Sequence, residues 1–259
     1  MKECRPLYGI DAVTSPSPHE PGLRIRPAHF PFSIPIPIPI PISKGFSMSY
    51  LLHIDSSSIG ADSVSSQVAQ SFRGTWDGSV VHRDLAASPV PHLDAAGIAS
   101  WGTDPARHTP EQAAAAAVQD ELIEEFLGAS GYLFTVPMYN LTMPSVFKAW
   151  LDQVIVKGRT FGFADGPAAS GRPALVISAR GGGYGPGTPN HGKDFVVPAL
   201  ETILHDLLGL EVTSLTPELT MAPVVPALTH LVPLHEASLT DAHQEARQQG
   251  EKFRGQVAA

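Results

Sequence analysis

Short apolar runs alternate with amphipathic stretches from residue 50 onward. Tyr50–Asp55 (YLLHID) is apolar and closes on turn residues, the form of a buried parallel strand. Ser63 to Trp76 then spaces Val64, Val68 and Phe72 four apart, one face of a helix. Ser79–Asp84 predicts a second strand, and 86–108, rich in Pro, Gly and His, predicts a loop. Thr109-Pro110-Glu111-Gln112 opens a helix, with Thr as N-cap, Pro at the first helical position and Gln placed to close a capping box. That helix is expected to run to Leu127. Gly131–Val136 predicts the third strand, stopped by Pro137. Pro144–Val156 predicts a helix whose apolar stripe is Val146, Phe147, Trp150, Leu151, Val154 and Ile155. Pro173–Ala179 predicts the fourth strand, Phe195–Leu208 a helix ended by Gly209, Glu211–Leu215 a fifth strand, and Leu239–Gln256 a polar final helix. Five strands interleaved with five helices predict an α/β fold, a parallel sheet covered on both faces. Right-handed crossovers put every strand-to-helix loop on one edge, where such sheets bind ligands.

Residues 1–47 are of another kind. Ten of the 25 prolines fall there, and Ile34 to Ile42 alternates Ile with Pro, which favours polyproline II over helix or ladder. This segment is expected to be a disordered extension, with Met48 the expected true start and residues 48–259 the folded domain. A proline-rich ligand for a partner domain is the alternative. The prolines deny it the unbroken apolar core of a signal peptide or a membrane span, so a cytoplasmic location is expected. The chain's formal net charge is −8, the wrong sign for non-specific binding to nucleic acid or an anionic membrane. The single cysteine, Cys4, excludes a disulfide framework, and the histidine spacings do not point to a metal centre.

Three strand-end loops carry the candidate chemistry. Ser56–Ser66 holds six serines and opens a helix. Its free N–H groups and hydroxyls suit a monophosphate, and without a lysine it does not suit a triphosphate. Ser63 serving merely as helix cap is the plain alternative. Val136–Pro144 sets Met138, Tyr139 and Asn140 between two prolines: a thioether and a phenol to pack on a flat ring, an amide to reach its polar edge. A packed loop is the alternative there. Arg180 and the run Gly181-Gly182-Gly183 follow the fourth strand, where backbone can approach a ligand closely. A monophosphate joined to a large flat ring with a polar edge describes FMN.

These segments resemble the FMN-dependent NADH:quinone oxidoreductases, also called FMN-dependent azoreductases, from about Met48 to the C-terminus. The resemblance is carried by Ser57…Ser63-Val64-Ser65, by Pro137-Met138-Tyr139-Asn140-Leu141…Pro144, by Gly158-Arg159-Thr160-Phe161…Asp165-Gly166-Pro167, and by Ala179-Arg180-Gly181-Gly182. It implies a flavodoxin-like fold and a homodimer with the pocket between subunits. It implies Ser57, Ser63, Val64 and Ser65 around the phosphate. Met138, Tyr139, Asn140 and Leu141 would line the isoalloxazine, and Ala179, Arg180, Gly181 and Gly182 its pyrimidine side. NADH or NADPH would reduce the flavin, and a quinone or azo compound would then take two electrons, a ping-pong exchange.

Two departures stand out. Position 179 is Ala where many relatives have Ser, so its backbone amide alone is expected to serve. The Gly183–Asp194 segment is longer than in typical relatives and is expected to reshape access. No covalent catalyst is required. Tyr184 and Tyr139 are candidate proton donors, and Phe161, Phe163 and Tyr184 are candidate pocket walls. Glu121, Glu124 and Glu125 are expected to be a solvated acidic face. A flavodoxin-like FMN electron carrier with protein partners is the competing reading.

Overall fold

The structure, a computed structural model, describes residues 50–257. The expectations for residues 1–47, Met48 and Cys4 lie outside the described residues. Five strands form one all-parallel sheet: β1 (Tyr50–Asp55), β2 (Ser79–Asp84), β3 (Gly131–Thr135), β4 (Pro173–Ile177) and β5 (Glu211–Leu215), in the order β2-β1-β3-β4-β5. The direction of winding reverses between β1 and β3, the switch point at which such sheets take ligands. Asp55 pairs with Thr135, and Thr135 with Ile177. The carboxyl ends of β1, β3 and β4 therefore stand level, and the three loops that leave them are neighbours.

Six helices cover the sheet: α1 (Val64–Arg73), α2 (Ala95–Ser100), α3 (Pro110–Gly128), α4 (Ser145–Val154), α5 (Val197–Glu201) and α6 (Val232–Val257). Period-two alternation sorts the strand side chains between two cores. Leu52, Ile54, Tyr132, Phe134 and Val176 pack with Phe126, Phe147 and Trp150 of α3 and α4. Leu51, Leu133, Leu175 and Ile177 pack with Val68 and Phe72 of α1 and with Ala246 and Phe253 of α6. Helix α6 meets α1 so closely that a Cβ on Gly250 would stand 2.0 Å from Thr75 Oγ1 and 2.8 Å from the Phe72 carbonyl oxygen.

The strand positions agree with the sequence reading, and α3 carries the expected capping box. Thr109 N donates to Gln112 Oε1 at 2.9 Å, and Gln112 N to Thr109 Oγ1 at 3.3 Å. Four expectations need correction. The 86–108 loop contains α2, because Asp94 Oδ1 caps it by accepting from Gly97 N at 2.8 Å. The helix after β4 is α-helical only to Glu201 and continues to Leu207 with π-type hydrogen bonding, Leu208 N donating to Ile203 O. It ends as expected at Gly209, whose φ is +74°. The last helix begins at Val232 rather than Leu239; Pro233 stands in its first turn, where no intrahelical donor is required. The acidic face of α3 is also not wholly solvated: Arg83 of β2 pairs with Glu121 and Glu125, each at 2.9 Å, and leaves Glu124 exposed. No described helix is long and apolar enough to cross a membrane.

Candidate active site

Asp55, buried at the end of β1, organises the first loop. Its Oδ1 accepts from Ser57 N at 3.0 Å and its Oδ2 from Ser66 Oγ at 2.9 Å. Ser63 is the N-cap of α1: its Oγ accepts from Ser66 N at 3.0 Å and donates to Ser66 Oγ at 2.7 Å. The capping reading is thus realised, and the Ser63 proton is already committed. Val64 and Ser65 open the helix with N–H groups that the helix itself cannot satisfy. Ser65 Oγ accepts from Ala179 N at 3.1 Å and keeps its own proton to donate. Ser57 Oγ is 1% exposed and has no partner among the described residues. Neither Lys nor Arg occurs between Ser56 and Ser66.

The second loop is a two-residue hairpin. Tyr139 N donates to Thr142 O and Thr142 N to Tyr139 O, at 2.9 and 3.1 Å, with Asn140 and Leu141 at φ +50° and +70°. Two successive positive φ values define a type I′ turn, which favours Asn at the first position and Gly at the second. Leu141 therefore holds strain that nothing in its side chain relieves. Two further bonds tie this loop to its neighbours: Ser58 N donates to Tyr139 Oη at 3.0 Å, and Met138 N to Ala179 O at 2.9 Å.

In the third loop the carbonyls are taken and part of the N–H set is not. Thr220, Met221 and Leu219 donate to the carbonyls of Arg180, Gly181 and Gly182. Arg180 N donates to Pro217 O at 2.9 Å. The N–H groups of Gly181 and Gly182 have no acceptor among the described residues. A Cβ on Gly181 or Gly182 would meet Met221 or Asn190 at 3.0 Å, so the run is packed rather than slack. The Ala179 amide expected to serve a ligand is instead spent on Ser65, and the Arg180 amide on Pro217. The Arg180 guanidinium bonds Asp194 at 2.5 Å and Glu218 at 3.2 Å, with the Tyr184 ring over it at 5.7 Å. Its Nε is buried and has no partner among the described residues.

Phe161 and Phe163 lie on the segment between α4 and β4. No hydrogen bond or ring contact among the described residues ties them to the three loops. Phe163 is exposed. A cavity of about 590 Å³ adjoins the second loop and is lined by Tyr139, Asn140, Thr142 and Met143 together with His92 and Lys148. Sequence reasoning missed His92, whose only signal was its place in a Pro/His-rich stretch. It also missed Asp55 and Glu218, which carry no local signal.

Beneath the first loop, His53 and His82 stack at 4.6 Å, with Asp55 near both. Arg73 Nη1 lies 3.1 Å from His53 Nδ1. Arginine only donates, so Nδ1 is the acceptor and the His53 proton sits on Nε2. Burial above all, then His82 and Arg73, pushes the His53 pKa well below the usual imidazole range. Arg73 occupies one His53 nitrogen, the proton on the buried Nε2 has no partner among the described residues, both Asp55 oxygens are engaged, and His82 is exposed.

A profile described as a flavodoxin-like fold matches residues 49–248. A Streptomyces avermitilis protein named FMN-dependent NADH:quinone oxidoreductase is 46% identical over 218 residues, 82% of this chain and 100% of the relative. The chain belongs to the FMN-dependent NADH:quinone oxidoreductase family. A Streptomyces coelicolor member of the same name is 48% identical over 205 residues, 77% of this chain and 92% of the relative. Among solved structures, an azoreductase from Bacillus anthracis superposes with a TM-score of 0.67 at 24% identity, covering 80% of this chain and all of that one. An FMN-dependent NADH-azoreductase from the same species, in complex with FMN, gives 0.66 at 21%, covering 79% and 99%. At those identities the structural likeness is one of fold, and it agrees with the strand order β2-β1-β3-β4-β5.

Proposed function

We propose that the chain is an FMN-dependent oxidoreductase that passes two electrons from NADH to quinones and reductively cleaves azo compounds, its 48–259 domain holding the cofactor. The observation that carries this reading is the convergence of unpaired donors at one sheet edge: Ser57 Oγ, the first N–H groups of α1, and the Gly181 and Gly182 N–H groups. Burying the Ser57 hydroxyl with no acceptor costs about 1–3 kcal/mol, and with the partly buried amides beside it this supports a ligand rich in acceptors. FMN fits it, with an anionic phosphate for the helix start and hydroxyls and a ring with a polar edge for the glycine amides.

Ser57, Val64 and Ser65 would hold the phosphate, with Ser63 shaping the helix start. Met138, Tyr139, Asn140 and Leu141 would line the ring, and Gly181 and Gly182 would meet its pyrimidine side. When bound, FMN supplies the redox chemistry, accepting hydride from the nicotinamide and returning two electrons to the acceptor. The protein's part is to orient that group with donors already in place, beside the open cavity at Tyr139 and His92. Tyr139 accepts from Ser58 and retains its own proton, which suits it to donate to substrate; Tyr184 is turned onto Arg180 and suits a rim position. We assign a homodimer in the cytoplasm, in which Phe161 and Phe163 of a second copy complete the pocket that they do not reach within one chain.

The test is NADH oxidation with a benzoquinone, with and without added FMN, followed by initial rates at varied concentrations of both substrates. Parallel double-reciprocal lines are expected. A preparation that stays colourless with FMN refutes the reading. FMN bound without turnover transfers the protein to the class of electron carriers.

A further inference from the structure

The Arg180 guanidinium faces two carboxylates, not one. Asp194 Oδ2 lies 2.5 Å from Nη2 and Glu218 Oε1 3.2 Å from Nη1, and the Arg180 side chain is 8% exposed. The cluster's formal charge is therefore −1. Each carboxylate also holds backbone. Asp194 Oδ1 accepts from Val196 N and Val197 N at the start of α5, while Glu218 Oε1 accepts from Tyr184 N at 2.9 Å. Glu218 is itself moored to α6: its N–H donates to Ser238 Oγ at 3.0 Å, and its carbonyl stands 3.2 Å from His235 Nδ1. Glu218 thus joins three places: its backbone is tied to α6, and one carboxylate oxygen holds both Arg180 and Tyr184, the two ends of the glycine run.

A run of three glycines has more backbone freedom to lose than any other tripeptide, and donors are useful to a ligand only when fixed beforehand. The glycine carbonyls are held by Met221, Leu219 and Asn190, the flanking residues Arg180 and Tyr184 hold the two ends, and Glu218 is the residue common to both ends. We propose that Glu218 is a positioning residue for the cofactor site: it fixes Gly181 and Gly182 so that their N–H groups stand ready as donors, and it takes the otherwise neutral Arg180–Asp194 pair to a formal charge of −1. The inference rests on the FMN reading above. It carries an electrical consequence. A flavin gains negative charge on reduction, and a neighbouring cluster of charge −1 opposes that gain where a neutral one would not.

The test uses the full chain loaded with FMN and the variants Glu218→Ala and Glu218→Gln. Three quantities are read: hydrogen exchange over residues 181–190, the dissociation constant of FMN, and the midpoint potential of the bound flavin. In E218A, exchange at Gly183 and Tyr184 is expected to quicken at least tenfold and FMN to bind about tenfold more weakly. In E218Q the amide oxygen still accepts from Tyr184 N, so affinity returns close to that of the parent, while the midpoint potential becomes more positive. A residue that merely moored its segment to α6 would not move the potential. Parent-like exchange and affinity in E218A, or an unmoved or more negative potential in E218Q, overturns the proposal. If E218A does not fold, E218Q decides through the potential. A parent chain that does not bind FMN sinks both readings; a parent that binds it, with variants that match it, sinks this one alone.

Discussion

Replacing Ser57 by alanine separates ligand binding from folding. Its hydroxyl is buried and bonded to nothing among the described residues, so the apo protein loses no hydrogen bond in S57A and is relieved of an unsatisfied group. Leaving a buried polar group unpaired costs about 1–3 kcal/mol, so the apo variant is expected to be as stable as the parent or about 1 kcal/mol more so. Binding moves the other way. A hydrogen bond to a charged group is worth about 1.5–3 kcal/mol, and the loss of about 2 kcal/mol weakens FMN about thirtyfold. Ser65 is the contrast. Its Oγ accepts from Ala179 N at 3.1 Å, so S65A leaves a buried N–H orphaned and costs about 1–3 kcal/mol of apo stability besides any loss of affinity. Urea unfolding of the apo proteins and FMN titration followed by flavin fluorescence read the two quantities separately. If S57A destabilises the apo fold by more than about 1 kcal/mol, or binds FMN within twofold of the parent, Ser57 does not hold the phosphate.

Gly250→Ala reverses the usual helix rule: alanine ordinarily gains about 1 kcal/mol over glycine, but here the new methyl meets Thr75 and the Phe72 carbonyl, and a lower thermal midpoint is expected. Leu141→Gly is expected to stay within about 1 kcal/mol of the parent because relief of left-handed strain offsets the glycine's entropy, whereas Leu141→Val loses about 1–2 kcal/mol; equal stability in denaturant would refute the turn. His53 is neutral when folded and titrates near 6.5 when unfolded, so its contribution is present above that pH and is lost as the pH falls below it. Unfolding midpoints measured between about pH 7 and about pH 5 should therefore fall more steeply in the parent than in His53→Phe, and equal slopes would refute the assignment. In Asp55→Asn the amide can donate to Ser66 Oγ, reversing the Ser66–Ser63 bond and freeing the Ser63 proton, so FMN is expected to bind more tightly, most of all at low salt. Weakening equal to that of Asp55→Ala would show that the carboxylate charge is itself needed.

What was legible in the sequence is what depends on neighbours along the chain. The strands announce themselves as apolar runs, and Thr109 and Gln112 announce a capping box because both partners lie within one turn. The three loops could be read as neighbours because a strand-to-helix crossover fixes which edge each one leaves. Helix α2 was hidden because prolines on both sides and Gly97 within it outweigh six residues of weak pattern, and its capping signal rests on Asp94 alone. The fate of Arg180 was not legible at all. Its partners stand 14 and 38 residues away, and only the pairing of 217–221 alongside the glycine run brings Glu218 to it. The commitment of the Ala179 amide to Ser65 is likewise a contact across 114 residues.

The direction of the hydrogen bonds explains how loops without a lysine come to present donors. Along the third loop the neighbouring 217–221 segment donates to the carbonyls of Arg180, Gly181 and Gly182 and accepts from the Arg180 N–H, while the Gly181 and Gly182 N–H groups are left without an acceptor among the described residues. At the first loop the Asp55 carboxylate is met by Ser57 N and the Ser66 hydroxyl, so its charge is spent on holding the loop in shape. The positive end of α1, about half a unit charge, then stands with its first amides unshared. Both loops present donors because their acceptors have been satisfied from behind by the fold itself. Under the proposed reading, backbone dipoles oriented before the ligand arrives would take the place of the cation that a sequence search looks for.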